Sequence, residues 1–362
     1  MPEPELCVLD RGMIEQCVAA FDPLDVVASV LQSHANSDTV LPAEAYMEWS
    51  NRSNAYCRSL AMPGGLLADG EPVYGMKVIN AAVSNPAIGL DRAGGIVMLF
   101  DPETARPRLL ADAGYLSALR TAAYSLLSLR HLGPPVCESA SVIGCGYLAK
   151  EHLRLLARVH PGISTAHVYD LDPRRAAALA AWAEQHIPTI QVVQCGTARA
   201  AVEASTLLFT LTTSQQPYIE PDWFQEGSFV AHVSLDDLTE DVFLGAEAIY
   251  VDDVVLVRDN PRRILGRLMT ERKIGEPGSP DPGCRITGTL AEVLTGHREA
   301  IRPSTGVVVS NPFGMSILDI GLLEKVARGA DTAGLGRRLE LYGLPRPEHT
   351  VGGRDEPVLE ER

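Results

Sequence analysis

The sequence predicts an α/β chain with two parts. One is a doubly wound parallel-sheet domain in the centre and latter half. The other is a discontinuous α+β domain made from the first third and the chain's final return. Three observations carry this expectation. The 362 residues exceed what a single hydrophobic core usually serves. From residue 139 onward, short apolar runs alternate with helical patterns, as strands crossed over by helices do. Just before that rhythm starts, Gly133-Pro134-Pro135 interrupts the chain, after a segment in which strand-like runs follow one another directly.

Taken in order, the first 60 residues read as mixed helix and strand. Within them, residues 23–34 (PLDVVASVLQSH) have helical apolar spacing, with Asp22 as the N-cap. The runs VYGMKVINAAV and GGIVMLFD read as strands joined by the turn-rich SNPAIGLDRAGG. Residues 114–132 form an apolar-rich helix that stops at Gly133. Beyond it SASVIG, TAHVYD, TIQVVQC, STLLFTLTT, GSFVAHVS and AIYVDDVVLV read as buried strands. The segment 271–283 is rich in glycine and proline and reads as a loop. GVVVSNPFGMS and the helix ILDIGLLEKVARGA close the ordered pattern, and the polar tail is expected to fray. The expected division is residues 1–132 and 307–345 for the α+β part, 133–306 for the parallel-sheet part, and 346–362 for the tail.

Composition narrows the function. Forty-six acids against 31 bases give a net charge of −15, a poor match for nucleic acid or an anionic membrane surface. No run reaches the roughly 18 apolar residues of a membrane helix, and the N-terminus lacks the pattern of a secretory signal, so a cytoplasmic location is expected. Seven cysteines, with no C-x-x-C pair, suit reduced thiols. Cys145 lies inside a glycine turn and is a weak candidate nucleophile. The histidines show no metal-ligand spacing, so no metal is expected. Only four of the 31 bases are lysines: Lys77, Lys150, Lys273 and Lys325.

The strongest local signal is SVIGCGYLAKEHLRLL, a G-x-G-x-x-A match at Gly144, Gly146 and Ala149, placed after a strand and opening a helix. The first glycine permits the tight turn and the second lets the backbone approach a pyrophosphate. The alanine allows close helix–strand packing, and the helix N-terminus binds the anion. Asp170 ends the next strand run, where an acid accepts from the adenosine ribose. This is a Rossmann fingerprint. Asp170 favours NAD over NADP, although Arg174 and Arg175 could instead embrace a 2′-phosphate.

A hydride-transfer enzyme must also hold substrate and move protons. Lys77 interrupts an apolar strand, a costly position unless the ammonium has an anionic partner or sits at a sheet edge in water. Arg58 and Arg120 are further cations whose surroundings the sequence leaves open. Asp236, Asp237, Glu240 and Asp241 crowd one helix start at the carboxyl end of a strand. The residues alone do not choose among these four.

MKVINAAVSNP, SALRTAAYSLLSLRHL, VIGCGYLAKEHL and VSNPFGMSILDI together resemble the ornithine cyclodeaminase/mu-crystallin family over roughly residues 5 to 342. RSLAMPGG, DPETARPRLLADAGYLSALRTAA, QPYIEPDW, NPFGMSILDI and LGRRLELYG are most similar to its N-(2-amino-2-carboxyethyl)-L-glutamate dehydrogenases, which serve 2,3-diaminopropionate formation in specialised-metabolite or siderophore biosynthesis. The resemblance implies a homodimer whose α+β part binds substrate and dimerises. It implies that Lys77, Arg58 and Arg120 hold substrate carboxylates, and that Lys77 and Asp237 are catalytic, Asp237 being the acid near the reacting amine. NAD is expected at Gly144, Gly146, Tyr147, Leu148, Ala149, Asp170, Thr121 and Thr212. The implied reaction oxidises a secondary amine to an imine that hydrolyses to 2-oxoglutarate and L-2,3-diaminopropionate. Alternatives are an ornithine-type cyclodeaminase, an NAD(P)H-dependent imine reductase, or a non-catalytic protein that binds nucleotide and a small ligand.

Overall fold

The computed structural model describes residues 5–234, 236–279 and 285–341. Cys284, the end of the polar 271–283 segment and the 346–362 tail lie outside the described residues.

Among the described residues the chain builds two eight-stranded sheets. The first is antiparallel apart from one parallel pair. It runs from Arg337–Leu339 through Leu6–Leu9, Pro107–Asp112, Ala93–Phe100, Glu71–Ala82 and Tyr56–Ala68 to Thr39–Val40, with Ala45–Ser50 also paired to Tyr56–Ala68. Its two longest strands meet at Asp69-Gly70, both at positive φ (55° and 82°). That is the turn geometry whose twist matches flanking strands.

Register then decides which side chains share a face. Arg58 lies opposite Ala81, Leu60 opposite Ile79, and Met62 opposite Lys77. Because alternate residues point the same way, Arg58 and Lys77 project from one face. That face packs on the helix Ser316–Ala333, where Gly64 and Gly75 let Ile320 of the helix approach the strands closely. The opposite face carries Met47, Trp49, Tyr74 and Ile96, all exposed.

The second sheet is wholly parallel, in the order Gln191–Gln194, Thr165–Tyr169, Ser139–Ile143, Leu207–Thr210, Ser228–His232, Val307–Asn311, Ala248–Val251 and Gly288–Thr289. Leu207–Thr210 and Ser228–His232 are buried at every position, as strands covered on both faces must be. The helix Ala113–Leu132, capped by Asp112, touches strands of both sheets and forms the spine between them.

Two expectations need correction. The boundary expected at residue 307 falls later, because Val307–Asn311 is hydrogen-bonded between two strands of the parallel sheet and the chain leaves that sheet only after Asn311. The run AIYVDDVVLV is not one strand. It stops at Val251, and Val254–Arg258 is a helix, since Asp253 caps its N-terminus by accepting from the Leu256 amide. An apolar run of four cannot announce by itself which of the two it forms.

Candidate active site

The parallel sheet reverses strand order between Ser139–Ile143 and Leu207–Thr210, and ligands of such sheets bind outside the strand ends at that point. Gly144 sits there with φ 95°, and a Cβ on it would stand 2.7 Å from the Leu211 carbonyl oxygen. Only glycine serves both needs. Gly146 is different: a Cβ there would meet nothing within 4 Å. The protein leaves open space in front of this residue and of the helix Tyr147–Val159 that starts behind it, a fit for a pyrophosphate. Ala149 is fully buried in the helix–sheet contact.

Asp170 takes the Cys145 amide at 2.8 Å and the Asp172 amide at 2.9 Å, so its carboxylate also ties down the glycine turn. Burial, with Asp170 nearby, pushes the Cys145 thiol up to about 12, the opposite of what a nucleophile needs. Thr212 follows the neighbouring strand, with its amide beside Gly144. Three other expected cofactor residues are occupied internally. The Tyr147 ring lies under the Arg11 guanidinium at 4.8 Å. The Thr121 hydroxyl donates to the Ser117 carbonyl at 2.7 Å. Leu148 packs into the core, and its carbonyl accepts from His152.

The floor between the first sheet and the last long helix is ionic. Lys77 Nζ donates to Asp319 Oδ2 at 2.6 Å, with the two residues 1% and 0% exposed. Arg120 Nε lies 3.3 Å from the same oxygen without hydrogen-bond alignment, and both this Nε and Asp319 Oδ1 are buried without a partner. Burial pulls the Lys77 ammonium down to about 8; Asp319 opposes the shift and Arg120 adds to it. One acid between two cations leaves local positive charge. The buried lysine therefore has the anionic partner that its strand position demanded. The sequence signal for Asp319 was a lone acid in the apolar helix run SILDIG.

Beside Arg120, Asp252 and Arg263 clamp the loop between the parallel sheet and the last long helix. Asp252 accepts from the Phe313 amide at 3.0 Å and the Gly314 amide at 2.6 Å. Arg263 donates to the carbonyls of Pro312 (2.7 Å) and Phe313 (2.9 Å) and covers the Phe313 ring. Gly314, at φ 101°, brings this loop so close to Arg120 that a Cβ would stand 2.8 Å from its guanidinium. Neither Asp252 nor Arg263 carried a sequence signature.

The four crowded acids separate by environment. Asp236 pairs with Arg267 at 2.7 Å, Glu240 pairs with Lys273 at 2.8 Å, and Asp241 is exposed. Asp237 is fully buried; it accepts from the hydroxyls of Thr212 (2.5 Å) and Ser234, and its amide donates to His232 Nε2. With Nε2 accepting, the His232 proton sits on Nδ1 and faces Asn311 Oδ1 at 3.2 Å. Burial lowers the His232 pKa, and the charge of Asp237 opposes that shift. Hydrogen bonds and packing thus run from Asp237 through His232 and Asn311 to the clamped loop and Arg120. Arg58 projects from the same sheet face as Lys77, further along the strands.

The family model for the ornithine cyclodeaminase/mu-crystallin family matches residues 17–332. The chain belongs to that family. Among its relatives, the N-((2S)-2-amino-2-carboxyethyl)-L-glutamate dehydrogenase of Staphylococcus aureus is 28% identical over 93% of this chain and 99% of its own. The alanine dehydrogenase of Archaeoglobus fulgidus is 23% identical over 94% and 100%. The crystal structure of CmnK superposes with a TM-score of 0.88 at 52% identity, covering 94% of this chain and all of CmnK. The Delta(1)-pyrroline-2-carboxylate reductase of Thermococcus litoralis, solved with NADH and L-proline, shares the fold at 21% identity, with a TM-score of 0.77 over 92% of this chain and 100% of its own.

Proposed function

We propose that the protein is an NAD-dependent oxidoreductase acting on a C–N bond, and that its substrate is N-(2-amino-2-carboxyethyl)-L-glutamate. The observation that carries this reading is the buried Lys77–Asp319–Arg120 group, a local cationic floor in a chain of net charge −15. Fixed cations in a desolvated cleft suit a substrate rich in carboxylates. The name and full-length match of the Staphylococcus aureus relative support the same chemistry.

Gly144, Gly146 and Ala149 shape the phosphate end of the cofactor site, and Asp170 receives the adenosine ribose, which favours NAD over NADP. When bound there, NAD supplies a two-electron oxidant for the amine carbon. Lys77 and Arg120 orient the substrate through a carboxylate. Asp237, whose oxygens have lone pairs beyond the two hydroxyls they accept, takes the proton from the amine or directs the water that attacks the imine. Hydrolysis then yields 2-oxoglutarate and L-2,3-diaminopropionate.

A second copy of the chain covers the first sheet's outer face, where Met47 and Trp49 are 60% and 44% exposed. The first sheet with its helices forms the substrate and dimerisation unit. The six described cysteines are free thiols, in keeping with a reducing cytoplasm. The test is direct: with NAD and the proposed substrate, NADH accumulates. Ammonia release from ornithine without net NADH would identify a cyclodeaminase instead.

A further inference from the structure

Two pairs of adjacent residues, Asp252-Asp253 and Arg262-Arg263, each reach in two directions. The inner members, Asp252 and Arg263, hold the loop 312–314 against Arg120. The outer members reach the first sheet and its helix. Arg262 Nη2 donates to Glu44 Oε1 at 2.6 Å, and its guanidinium lies 4.0 Å from the centre of the Tyr46 ring. Tyr46 stands opposite Leu60, and Leu60 opposite Ile79, so Tyr46 belongs to the sheet face that carries Lys77. Asp253 Oδ2 meets His34 Nε2 at 3.1 Å, and His34 Nδ1 meets the Thr39 hydroxyl at 2.7 Å. The end of the helix Pro23–Ala35 and the edge strand Thr39–Val40 are thereby tied to the start of the helix Val254–Arg258. Arg120 needs such support. Its Nε is buried beside Asp319 without an aligned partner, and the close neighbour of its other two nitrogens is the backbone at Gly314.

We propose that Asp253 and Arg262 are positioning residues. Through their inner neighbours they brace the loop 312–314 from the first sheet, and so fix Arg120 for the substrate carboxylate. The inference rests on the proposed role of Arg120 and adds what places it. Each pair is joined by a stiff peptide plane. A shift of Arg262 away from Tyr46 therefore moves Arg263 and its two carbonyl bonds with it. The Arg262 and Glu44 side chains are 45% and 27% exposed, and ion pairs so open to water add little stability. What this contact supplies is the placement of the loop.

The test is a cycle of four NAD-loaded proteins: the parent, the double variant Arg262→Gln/Asp253→Asn, Arg120→Met, and all three changes together. Asp253→Asn keeps a helix cap and Arg262→Gln keeps a hydrogen-bonding side chain, so the thermal midpoint of the double variant stays within about 3 °C of the parent. NAD affinity holds, because the crevice at 144–170 is untouched. KM for the glutamate conjugate rises about threefold to thirtyfold at nearly constant kcat, as loss of substrate positioning predicts. On the Arg120→Met background the same two changes have no further effect. A calorimetric arm titrates glutarate into the same four proteins. Weaker glutarate binding in the double variant, and only where Arg120 is present, supports the brace even if the conjugate is not oxidised, an outcome that would remove the proposed substrate alone. A loss that persists without Arg120, or unchanged affinity for both ligands in the double variant, overturns the inference. A parent that binds neither ligand overturns it together with the proposed function.

Discussion

The proposed nucleotide crevice and the charged floor are built in opposite ways. The crevice is local: 27 residues from Gly144 to Asp170 supply the turn, the helix start and the acid, and backbone makes up most of its surface toward the proposed pyrophosphate. The floor is assembled from remote segments, with Lys77 and Asp319 separated by 242 positions in the chain. A backbone-built site is sensitive to a single methyl group. A site built from side chains is sensitive to charge balance. The difference can be broken experimentally at each end.

The largest effect is expected at Asp319. Replacing it with alanine leaves the Lys77 ammonium buried without its partner, at a cost of about 3–5 kcal/mol in unfolding free energy. Urea denaturation measures this. A change below about 1 kcal/mol would mean that water reaches the floor and that the ion pair is dispensable.

The paired glycines come next. Gly144→Ala forces a left-handed backbone and a clash with the Leu211 carbonyl, and should cost about 1–3 kcal/mol of stability as well as NAD affinity. Gly146→Ala meets only open space, so its thermal midpoint should hold while NAD affinity falls about tenfold. Thermal melts with and without NAD separate the two. Equal melting behaviour would remove the distinction between a turn glycine and a ligand-facing one.

The pH dependence of Lys77 follows. Its folded-state pKa of about 8 lies below the free value of 10.5. Between those values the unfolded chain holds a proton that the folded chain has lost, so this group makes stability rise with pH across that window. Activity runs the other way, because a neutral amine no longer attracts a carboxylate. The profile of kcat/KM should fall above pH about 8, and Lys77→Arg should move that limb upward, since a guanidinium stays charged. An unmoved limb would assign the ionisation to another group.

Asp170→Ala should have the smallest effect, a loss of NAD preference over NADP of about tenfold. The measurement is the ratio of the two cofactors' affinities, and an unchanged ratio would leave Asp170 only its hold on the Cys145 amide.

The same contrast explains what the sequence made legible. The glycine turn, the Asp22 helix cap and the parallel strand rhythm follow from local rules. Lys77 drew notice because a cation in an apolar strand needs an explanation. Its partner Asp319 did not, because one acid in a helix is ordinary until the fold brings it to the lysine. The clamp formed by Asp252 and Arg263 binds backbone amides and carbonyls and leaves no spacing to read. Asp237 stood among four acids that chemistry alone could not rank. Burial and ion pairing separate them only after folding.

The most direct measurement is a crystal structure of the NAD-loaded protein with the glutamate conjugate trapped beside the cofactor. One carboxylate should contact Lys77 and Arg120, and the secondary amine should face Asp237. A substrate bound with its carboxylates away from both Lys77 and Arg120 would contradict the account.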